Sequence, residues 1–361
     1  MNKKILIFCG NLQSGGAERQ MVYLAKALAS QNEVSFLLFY KKGVFLNEIE
    51  TLGITIQTTT RKNLWTTSRD LRKIILKNGY DIVVSYLPEC NLISELSTFP
   101  IKRWNVVVGA RNSDPKYVNN CKFRIYYYAH LIADCVISNS ESNKRDILRV
   151  NKLVSKKKIK VVYNIFTSQS CLSTYIPFKI GKIHIAIAAN FRFQKNLEGT
   201  LKALTLLKEE DRSKIIIDWY GLKVDDTFNN GIKIIKDYQL DQTIRLHPST
   251  NKVLDIYNAS DVVGLFSHYE GLPNSLCEAL MIGKMVICTP VSDMPFLLKD
   301  TGNIVCYSDS AYDIKDGLEK LIKTHRDTII NIGKQNKEIF SSMFNKDNIE
   351  KQLLRLFSEI R

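Results

Sequence analysis

Short, almost continuous runs of apolar residues alternate along this chain with longer stretches in which apolar residues recur every three or four positions. The short runs predict buried β-strands, and the longer stretches predict helices with one inward face. Because the strand candidates show no alternation of apolar and polar residues, both faces of their sheets must be covered, which is typical of parallel sheets in α/β proteins. The predicted strands span residues 4–9, 34–40, 54–57, 82–86, 105–109, 135–138, 159–162, 183–189, 215–220, 244–246, 261–266 and 285–288.

The pattern weakens between residues 168 and 182, around Pro177 and Gly181, and it resumes at residue 183. A chain of 361 residues is long enough for two domains. We therefore place a domain boundary near residue 170. Residues 309–361 show helical patterns.

Ligands of parallel sheets bind beyond the carboxyl ends of the strands, so the segments that follow strands are of most interest. Residues 267–283 follow a predicted strand and read SHYEGLPNSLCEALMIG. We expect a short helix here, with Pro273 in its first turn and Gly283 at its end. The helix start brings free N–H groups, which favour an anion, to a loop of four residues: Gly271, Leu272, Pro273 and Asn274.

Two carboxylates flank this loop, Glu270 before the helix and Glu278 within it. A carboxylate aimed at a bound anion would repel that anion. We therefore expect both side chains to accept hydrogen bonds from hydroxyl groups of a larger ligand that carries the anion. A diphosphate with a sugar at each end meets that demand.

The sequence from Glu270 through GLPN to Glu278 within EAL resembles the signature of the retaining GT-B glycosyltransferases of family four, also called glycosyl transferases group 1. In that family the first Glu lies near the donor sugar and the second binds the ribose of the nucleotide, which implies these roles for Glu270 and Glu278. An ordinary capped helix is the alternative. It explains Pro273 and Gly283, but not a Glu at both positions.

The resemblance implies an α/β fold of the GT-B class, with two Rossmann-like domains facing each other across a cleft. Residues 1–170 are then an acceptor-binding domain and residues 171–340 a domain that binds the nucleotide-sugar donor. Residues 341–361 are expected to form a helix that packs back on the first domain. The type expected is the bacterial polysaccharide and lipid-linked glycan type.

Two basic residues near the start of the second domain fit the same family. Lys195 follows a predicted strand and precedes a predicted helix, where a lysine can pair with phosphates as a mobile point charge. The family usually has an Arg five positions earlier, but this chain has Asn190 there, and Arg192 is the nearest replacement. His247 and Pro248 are candidates for the nucleotide-base pocket, with a plain loop as the alternative.

In the first domain, Gly15 and Gly16 lie between a strand and a predicted helix over residues 17–29, where glycines let the backbone approach a ligand. Their sequence, SGGAER, resembles the family's first loop, which lies near the diphosphate and the acceptor. We favour reading Glu18 and Arg19 as charges on the surface of the first helical turn. Taken alone, this loop is a weak signal.

The run GARNSD, residues 109–114, stands where many relatives carry a histidine. Arg111 is a candidate to hold an acceptor phosphate, and Asp114 to take or orient the acceptor proton. An Asp before Pro115 is also a common turn residue, so the structural alternative stays open for Asp114. Further along, Ser140 is expected to cap a helix.

The charge of the chain is uneven. Residues 1–170 hold 26 Lys and Arg against 12 Asp and Glu, a net charge of +14, whereas residues 171–361 hold 25 against 24. This asymmetry favours an anionic partner for the first half, such as phospholipid head groups, a lipid diphosphate or nucleic acid. A generally basic, solvated surface is the alternative. The aromatic run 126–128 reads as packing against the sheet rather than as a membrane contact.

Other features limit the compartment and the chemistry. No apolar run of about 18 residues could span a bilayer, and the N-terminus does not resemble a signal peptide. The eight cysteines are scattered without a CxxC pair, which predicts buried free thiols of a cytosolic protein rather than a zinc site. No Asp-x-Asp motif occurs, so we expect no bridging metal and no cofactor beyond the donor substrate.

We therefore expect transfer of a hexose or N-acetylhexosamine from a nucleoside diphosphate sugar, with UDP first and GDP second, to a glycan or polyprenyl-diphosphate-linked acceptor. Retention of configuration is expected, in capsule, O-antigen, lipopolysaccharide or exopolysaccharide synthesis. The expected location is the cytoplasm, at the inner face of the plasma membrane. The alternatives are a nucleotide-sugar epimerase and a basic nucleic-acid-binding protein. The first lacks a histidine after the relevant strands, and the second lacks recognition motifs, so nucleic acid is not expected as a partner.

Overall fold

The structure is a computed structural model that describes residues 2–13, 15–111, 113–166 and 181–360. It divides into two compact units: unit 1 comprises Met1–Ile165 and Lys346–Arg361, and unit 2 comprises Phe166–Asn345. The changes of unit at residues 165 and 345 lie five residues from the expected positions, 170 and 340. Residue 170 itself lies outside the described residues.

In the described part of unit 1, seven parallel strands form one sheet in the order β3-β2-β1-β4-β5-β6-β7. The strands are β1 Lys4–Cys9, β2 Glu33–Leu38, β3 Thr55–Thr58, β4 Ile82–Ser85, β5 Asn105–Ala110, β6 Cys135–Ser138 and β7 Ile159–Val161. The helices of the same unit are α1 Gly16–Ala29, α2 Leu46–Thr51, α3 Leu64–Asn78, α4 Pro88–Leu96, α5 Lys116–Asn119, α6 Cys121–Tyr128, α7 Glu141–Val150 and α16 Lys346–Glu359.

Both faces of this sheet are buried, as the unalternating strands predict. On β1, the side chains of Ile5 and Ile7 enter one core, together with residues of α1 and α16. Leu6 and Phe8 enter the opposite core, together with residues of α3 and α4. The last helix, α16, contributes Leu353 to the first core, and Lys3 Nζ donates a hydrogen bond of 2.9 Å to the carbonyl of Phe357.

In the described part of unit 2, six parallel strands follow the order β10-β9-β8-β11-β12-β13. They are β8 Ile183–Ala188, β9 Ile215–Gly221, β10 Ile244–Pro248, β11 Val262–Leu265, β12 Met285–Cys288 and β13 Ile304–Val305. The helices are α8 Leu197–Leu206, α9 Glu209–Arg212, α10 Thr227–Asp237, α11 Val253–Asn258, α12 Asn274–Met281, α13 Met294–Leu297, α14 Ala311–Ile322 and α15 Arg326–Met343.

The predicted fold class, two Rossmann-like domains with parallel sheets, is confirmed. Each predicted strand is present, whereas β13 was not predicted because two residues are too short for a recognisable apolar run. In both sheets the chain fills one side before it crosses to the other, so a topological switch point lies between β1 and β4 and another between β8 and β11. Loops diverge at such points and leave room for a ligand beyond the strand ends.

Candidate functional site

The switch point of unit 2 brings Lys195 next to Glu270, although 75 positions separate them in the chain. Lys195 ends a short 3-10 helix, Phe193–Lys195, in the loop after β8, and Glu270 lies in the loop after β11, the strand paired with β8. Lys195 Nζ donates a hydrogen bond to Oε1 of Glu270, and the two side chains are only 14% and 11% exposed. Two of the predicted site residues therefore form one buried ion pair.

Ser267 holds the carboxylate of this pair from the other side. Its hydroxyl donates a hydrogen bond of 2.7 Å to the same oxygen of Glu270, Oε1. The carbonyl of Ser267 accepts a hydrogen bond of 2.6 Å from the hydroxyl of Thr289, which follows β12. Among the described residues no donor reaches Oε2 of Glu270, so this oxygen remains available to a ligand.

Backbone contacts tie the two loops together. Gln194 donates a side-chain hydrogen bond of 2.7 Å to the carbonyl of Tyr269, and the backbone N–H of His268 donates one of 2.9 Å to the carbonyl of Gln194. Asn196 then turns the chain in the left-handed conformation, with φ of 58°, and its side chain caps α8. Sequence reasoning missed Gln194, because its contact joins residues distant in the chain.

Arg192 lies in the same loop, partly buried, but not in the ion pair. Its Nε is buried, and within the described residues it has no hydrogen-bond partner. A buried N–H without an acceptor costs roughly 1–3 kcal/mol, so a phosphate oxygen at this point would remove an existing penalty. The structure does not bring Asn190 into this role, since its side chain accepts a hydrogen bond from the backbone N–H of Leu222.

The helix α12 begins one residue later than expected. Pro273 is its N-cap residue, with φ of −73° and ψ of 101°, rather than part of its first turn. The side chain of Pro273 has no hydrogen-bond acceptor, so it makes no capping hydrogen bond to the first N–H groups of α12. Glu278 lies within α12 and is partly buried. Gly283 follows the C-cap with φ of 83°, which confirms the predicted helix end.

A second polar cluster crosses strands β8, β9 and β10. Asp218 is buried and contacts two imidazole rings, His184 Nε2 at 2.7 Å and His247 Nε2 at 2.6 Å. Burial raises the pKa of Asp218, but hydrogen bonds from both histidines outweigh burial and hold that pKa below its ordinary value. Tyr220 stacks on His247 with ring centroids 4.4 Å apart. His247 and Pro248 are the last two residues of strand β10. The alternative, a plain loop at this position, is wrong.

In unit 1, Arg111 follows β5 and lies across the ring of Tyr86, with Cζ 4.1 Å from the ring centroid. Its Nη1 donates a hydrogen bond of 2.6 Å to Asn164, which follows β7. As in Arg192, the Nε of Arg111 is buried and finds no hydrogen-bond partner in the described segments. Gly109 permits this packing, since an added Cβ would lie 2.3 Å from the Tyr86 ring.

Asp114 makes the contacts of a turn residue. Its Oδ1 accepts a hydrogen bond of 3.0 Å from the backbone N–H of Lys116, and its carboxylate forms an ion pair of 2.9 Å with the Lys116 ammonium. These contacts match the structural alternative. A role for Asp114 toward an acceptor proton stays a prediction.

The loop of Gly15 and Gly16 differs from the expectation. Gly15 is the N-cap of α1, and Gly16 is the first helical residue. Glu18 folds back over the helix start, so that an added Cβ on Gly15 would lie 1.9 Å from its Oε2. Burial raises the pKa of this carboxyl group. Glu18 lies in the first helical turn, as expected, but it is partly buried at the helix start rather than fully solvated. A role for Gly15 and Gly16 toward a ligand stays a prediction.

Three smaller predictions concern a helix cap, the cysteines and the aromatic run 126–128. Ser140 caps α7 as predicted, by accepting a hydrogen bond of 3.1 Å from the backbone N–H of Asn143. Of the described cysteines, only Cys121 is exposed, and Cys171 lies outside the described residues. Tyr127 is buried against Tyr117, whereas Tyr128 is 43% exposed.

The described residues contain neither a candidate membrane span nor a candidate metal site. None of their helices combines the length and the apolar composition required to cross a bilayer. In the same ranges, no three His, Cys, Asp or Glu side chains are grouped so that they could hold a metal ion.

Two family models match the sequence. Residues 176–338 match glycosyl transferases group 1, and residues 14–167 match glycosyltransferase family 4. An uncharacterized glycosyltransferase of Methanocaldococcus jannaschii is 26% identical over 243 residues, which cover 63% of this chain and 59% of that protein. One of Haemophilus influenzae is 23% identical over 337 residues, or 89% of this chain and 90% of that protein.

Solved structures agree in fold. Anabaena HepE, in a complex with UDP and glucose, gives a TM-score of 0.83 at 16% identity and covers 99% of this chain and 100% of that one. The lipopolysaccharide outer core galactosyltransferase WaaB gives 0.71 at 16% identity, with 99% of both chains covered. With a family 4 match in its first half and a group 1 match in its second, this chain belongs to the glycosyltransferases of the GT-B fold.

Proposed function

We propose that this protein transfers a hexose or N-acetylhexosamine from a nucleoside diphosphate sugar, with UDP preferred and GDP second, and that the anomeric configuration is retained. The observation that carries the proposal is the contact between Lys195 and Glu270 at the switch point of unit 2. HepE, which shares the fold, has been crystallised with UDP-glucose, and this supports UDP as the first nucleotide to test.

The chemistry needs charge stabilisation at the leaving group, because a diphosphate departs while the sugar becomes cation-like. Lys195 supplies a mobile positive charge, and the unpartnered Nε of Arg192 supplies a fixed donor nearby in the same loop. Donors that are already in place when charge develops lower a barrier most effectively. In this proposal the phosphates attract Lys195 away from Oε1 of Glu270, and Ser267 keeps the carboxylate oriented.

Glu278 binds the ribose hydroxyls in this proposal. Backbone amides of the loop Gly271–Asn274 contribute to binding the diphosphate, except at Pro273, which has no N–H. An ionised carboxylate that accepts hydrogen bonds from two hydroxyls contributes strongly, since each such bond is worth about 1.5–3 kcal/mol. Loss of this group is therefore expected to weaken donor binding by at least about tenfold.

The acceptor in this proposal is a glycan or a polyprenyl-diphosphate-linked glycan, and its anionic group contacts Arg111 in unit 1. The Nε of Arg111, which is buried and has no hydrogen-bond partner among the described residues, supports an anionic ligand there. The pathway proposed is capsule, O-antigen or exopolysaccharide synthesis, at the inner face of the plasma membrane and with peripheral contact to anionic lipid. The similarity to WaaB, a lipopolysaccharide outer core galactosyltransferase, supports this class of pathway.

The test is a thermal-shift panel of UDP, GDP, ADP and TDP sugars, because a ligand that binds only the folded state raises the melting temperature. We expect the largest shift with a UDP sugar and a strongly reduced shift in Glu278→Gln. Glu338→Gln, an exposed position on α15 of the same unit, is the matched control. If Glu278→Gln binds every donor as wild type does, the proposed site is wrong.

Retention can be tested without an acceptor. Slow hydrolysis of the donor that binds best releases a free sugar, and proton NMR reads its anomeric form before mutarotation. Release of the anomer present in the donor supports retention. Release of the opposite anomer contradicts retention and leaves the transferase assignment intact.

A further inference from the structure

The whole positive excess of the protein lies in unit 1. This unit holds 30 basic and 15 acidic residues, a net charge of +15, whereas unit 2 holds 21 of each. Part of the excess is concentrated where β5, β6 and β7 begin. The three segments that precede these strands, residues 97–104, 129–134 and 151–158, contain six Lys or Arg and one Asp, a net charge of +5. We call these three segments the amino-end surface.

Hydrogen bonds join the three segments into one surface. Lys102 Nζ donates a bond of 2.9 Å to the carbonyl of Ile132 and one of 2.7 Å to the carboxylate of Asp134. Lys158 Nζ donates a bond of 2.8 Å to the carbonyl of Leu131. Burial, followed by the charge of Lys102, lowers the pKa of Lys158 from its ordinary value. Asp134, the single acidic residue of the surface, is neutralised by its ion pair with Lys102.

The same segments expose large apolar side chains. Leu153 is 79% exposed, Ile101 59%, Phe99 55% and Leu131 40%. Single exposed apolar residues are ordinary on a protein surface, but four within one set of joined segments mark a site of interaction. Two of them adjoin a lysine in the chain, Ile101 beside Lys102 and Leu153 beside Lys152, and Lys156–Lys158 follow in the same segment as Leu153.

A cavity of about 360 Å³ opens beside this surface, between the start of β7 and the end of α16. Lys157 and Lys160 line it, and neither forms an ion pair with any described residue. Its two carboxylates belong to Asp134 and Glu359, and these are paired with Lys102 and Arg355. The uncompensated charge of the cavity is therefore positive.

We propose that the amino-end surface docks on an anionic lipid bilayer, with Leu153 and Ile101 at the level of the head groups and the lysines against lipid phosphates. This deepens the membrane contact of the proposed function by assigning it to named segments. A basic surface with interspersed apolar side chains gains both electrostatic attraction and apolar burial at such an interface. Nucleic acid would use the lysines but would leave the aliphatic side chains without a partner.

The location has a consequence for the acceptor. Arg111 lies just after the carboxyl end of β5, whereas segment 97–104 precedes its amino end. A strand of six residues spans about 20 Å. A bilayer at the amino-end surface would therefore lie roughly that far from the loops that hold Arg111 and Asn164. An acceptor must then extend from the membrane by a similar length, as an elongated glycan does.

Vesicle co-sedimentation tests this inference. The full chain is mixed with vesicles of phosphatidylcholine alone or of phosphatidylcholine with phosphatidylglycerol, at low and at high NaCl concentration. We expect binding only to the anionic vesicles, weakened by salt. Lys152→Gln, Lys156→Gln and Lys157→Gln combined should lower the partition coefficient by roughly 100-fold. Leu153→Ser should lower it as well.

Matched variants lie in unit 2. Lys202→Gln, Lys233→Gln and Lys236→Gln remove the same charge from exposed positions, and Leu206→Ser removes an exposed leucine. These controls should bind vesicles as wild type does. Equal losses in both sets, binding independent of anionic lipid, or no vesicle binding would overturn the proposal. So would selective loss of RNA binding by the Lys152, Lys156 and Lys157 variant without loss of vesicle binding. Donor-induced thermal shifts in each variant report separately on the proposed function.

Discussion

Replacing Lys195 by methionine removes one charge of a buried ion pair and leaves the other in place. The carboxylate of Glu270 would keep only the hydrogen bond from Ser267, and its side chain is 11% exposed. Breaking a buried pair in this way costs about 3 kcal/mol. For a domain the size of unit 2 this lowers the melting temperature by roughly 6–12 °C.

The double variant Lys195→Met with Glu270→Gln separates stability from chemistry. It contains no buried charge without a partner, so its melting temperature should return close to that of wild type. Its donor turnover should nevertheless stay about 100- to 1000-fold below wild type, because the cation that meets the departing phosphate is absent. Both quantities come from one protein preparation, by thermal unfolding and by release of nucleotide from the donor that binds best.

An exposed ion pair of the same unit provides the control. Lys214 and Glu210 lie 3.1 Å apart with side chains 43% and 83% exposed. Lys214→Met with Glu210→Gln should leave both stability and turnover close to wild type, because exposed ion pairs contribute little to stability. Recovery of wild-type turnover in the Lys195 and Glu270 double variant would refute our reasoning, since it would make the pair a structural contact alone.

Two further predictions concern other parts of the chain. Gly15→Ala should cost about 1 kcal/mol of unfolding free energy, because the new Cβ displaces the carboxylate that covers the start of α1. In a Glu18→Ala background the same change should cost nothing more, and equal costs in both backgrounds would contradict the explanation. Burial lowers the pKa of Lys284 from 10.5 to about 8, so between these pH values the unfolded chain binds the proton that the folded protein has lost. Stability should therefore rise with pH in this window by about 3 kcal/mol relative to Lys284→Met, as urea unfolding at several pH values would show; a constant difference would contradict it.

The site could be predicted in part because some of its residues lie close together in the chain. Glu270 and Glu278 flank one loop, and the resemblance to a known signature rests on that local spacing. Ser267 lies in the same stretch, three positions before Glu270. Its hydrogen bond to Oε1 of Glu270, however, is known only from the structure. His247 was a candidate from the sequence, but its contact with Asp218, and that of His184 with the same carboxylate, left no signal because the three residues lie on separate strands.

The fold class and the order of strands along the chain could be predicted from the amino-acid pattern, because runs of apolar residues specify buried parallel strands wherever they occur. The same pattern also predicted the helix end at Gly283, where a left-handed residue is needed. Which polar groups come into contact depends instead on the packing of the strands and helices. Lys195 reaches Glu270 because β8 and β11 are neighbours in the sheet, and His184 reaches Asp218 because β8 and β9 are neighbours. Local patterns specify elements, whereas contacts between distant residues depend on how those elements pack.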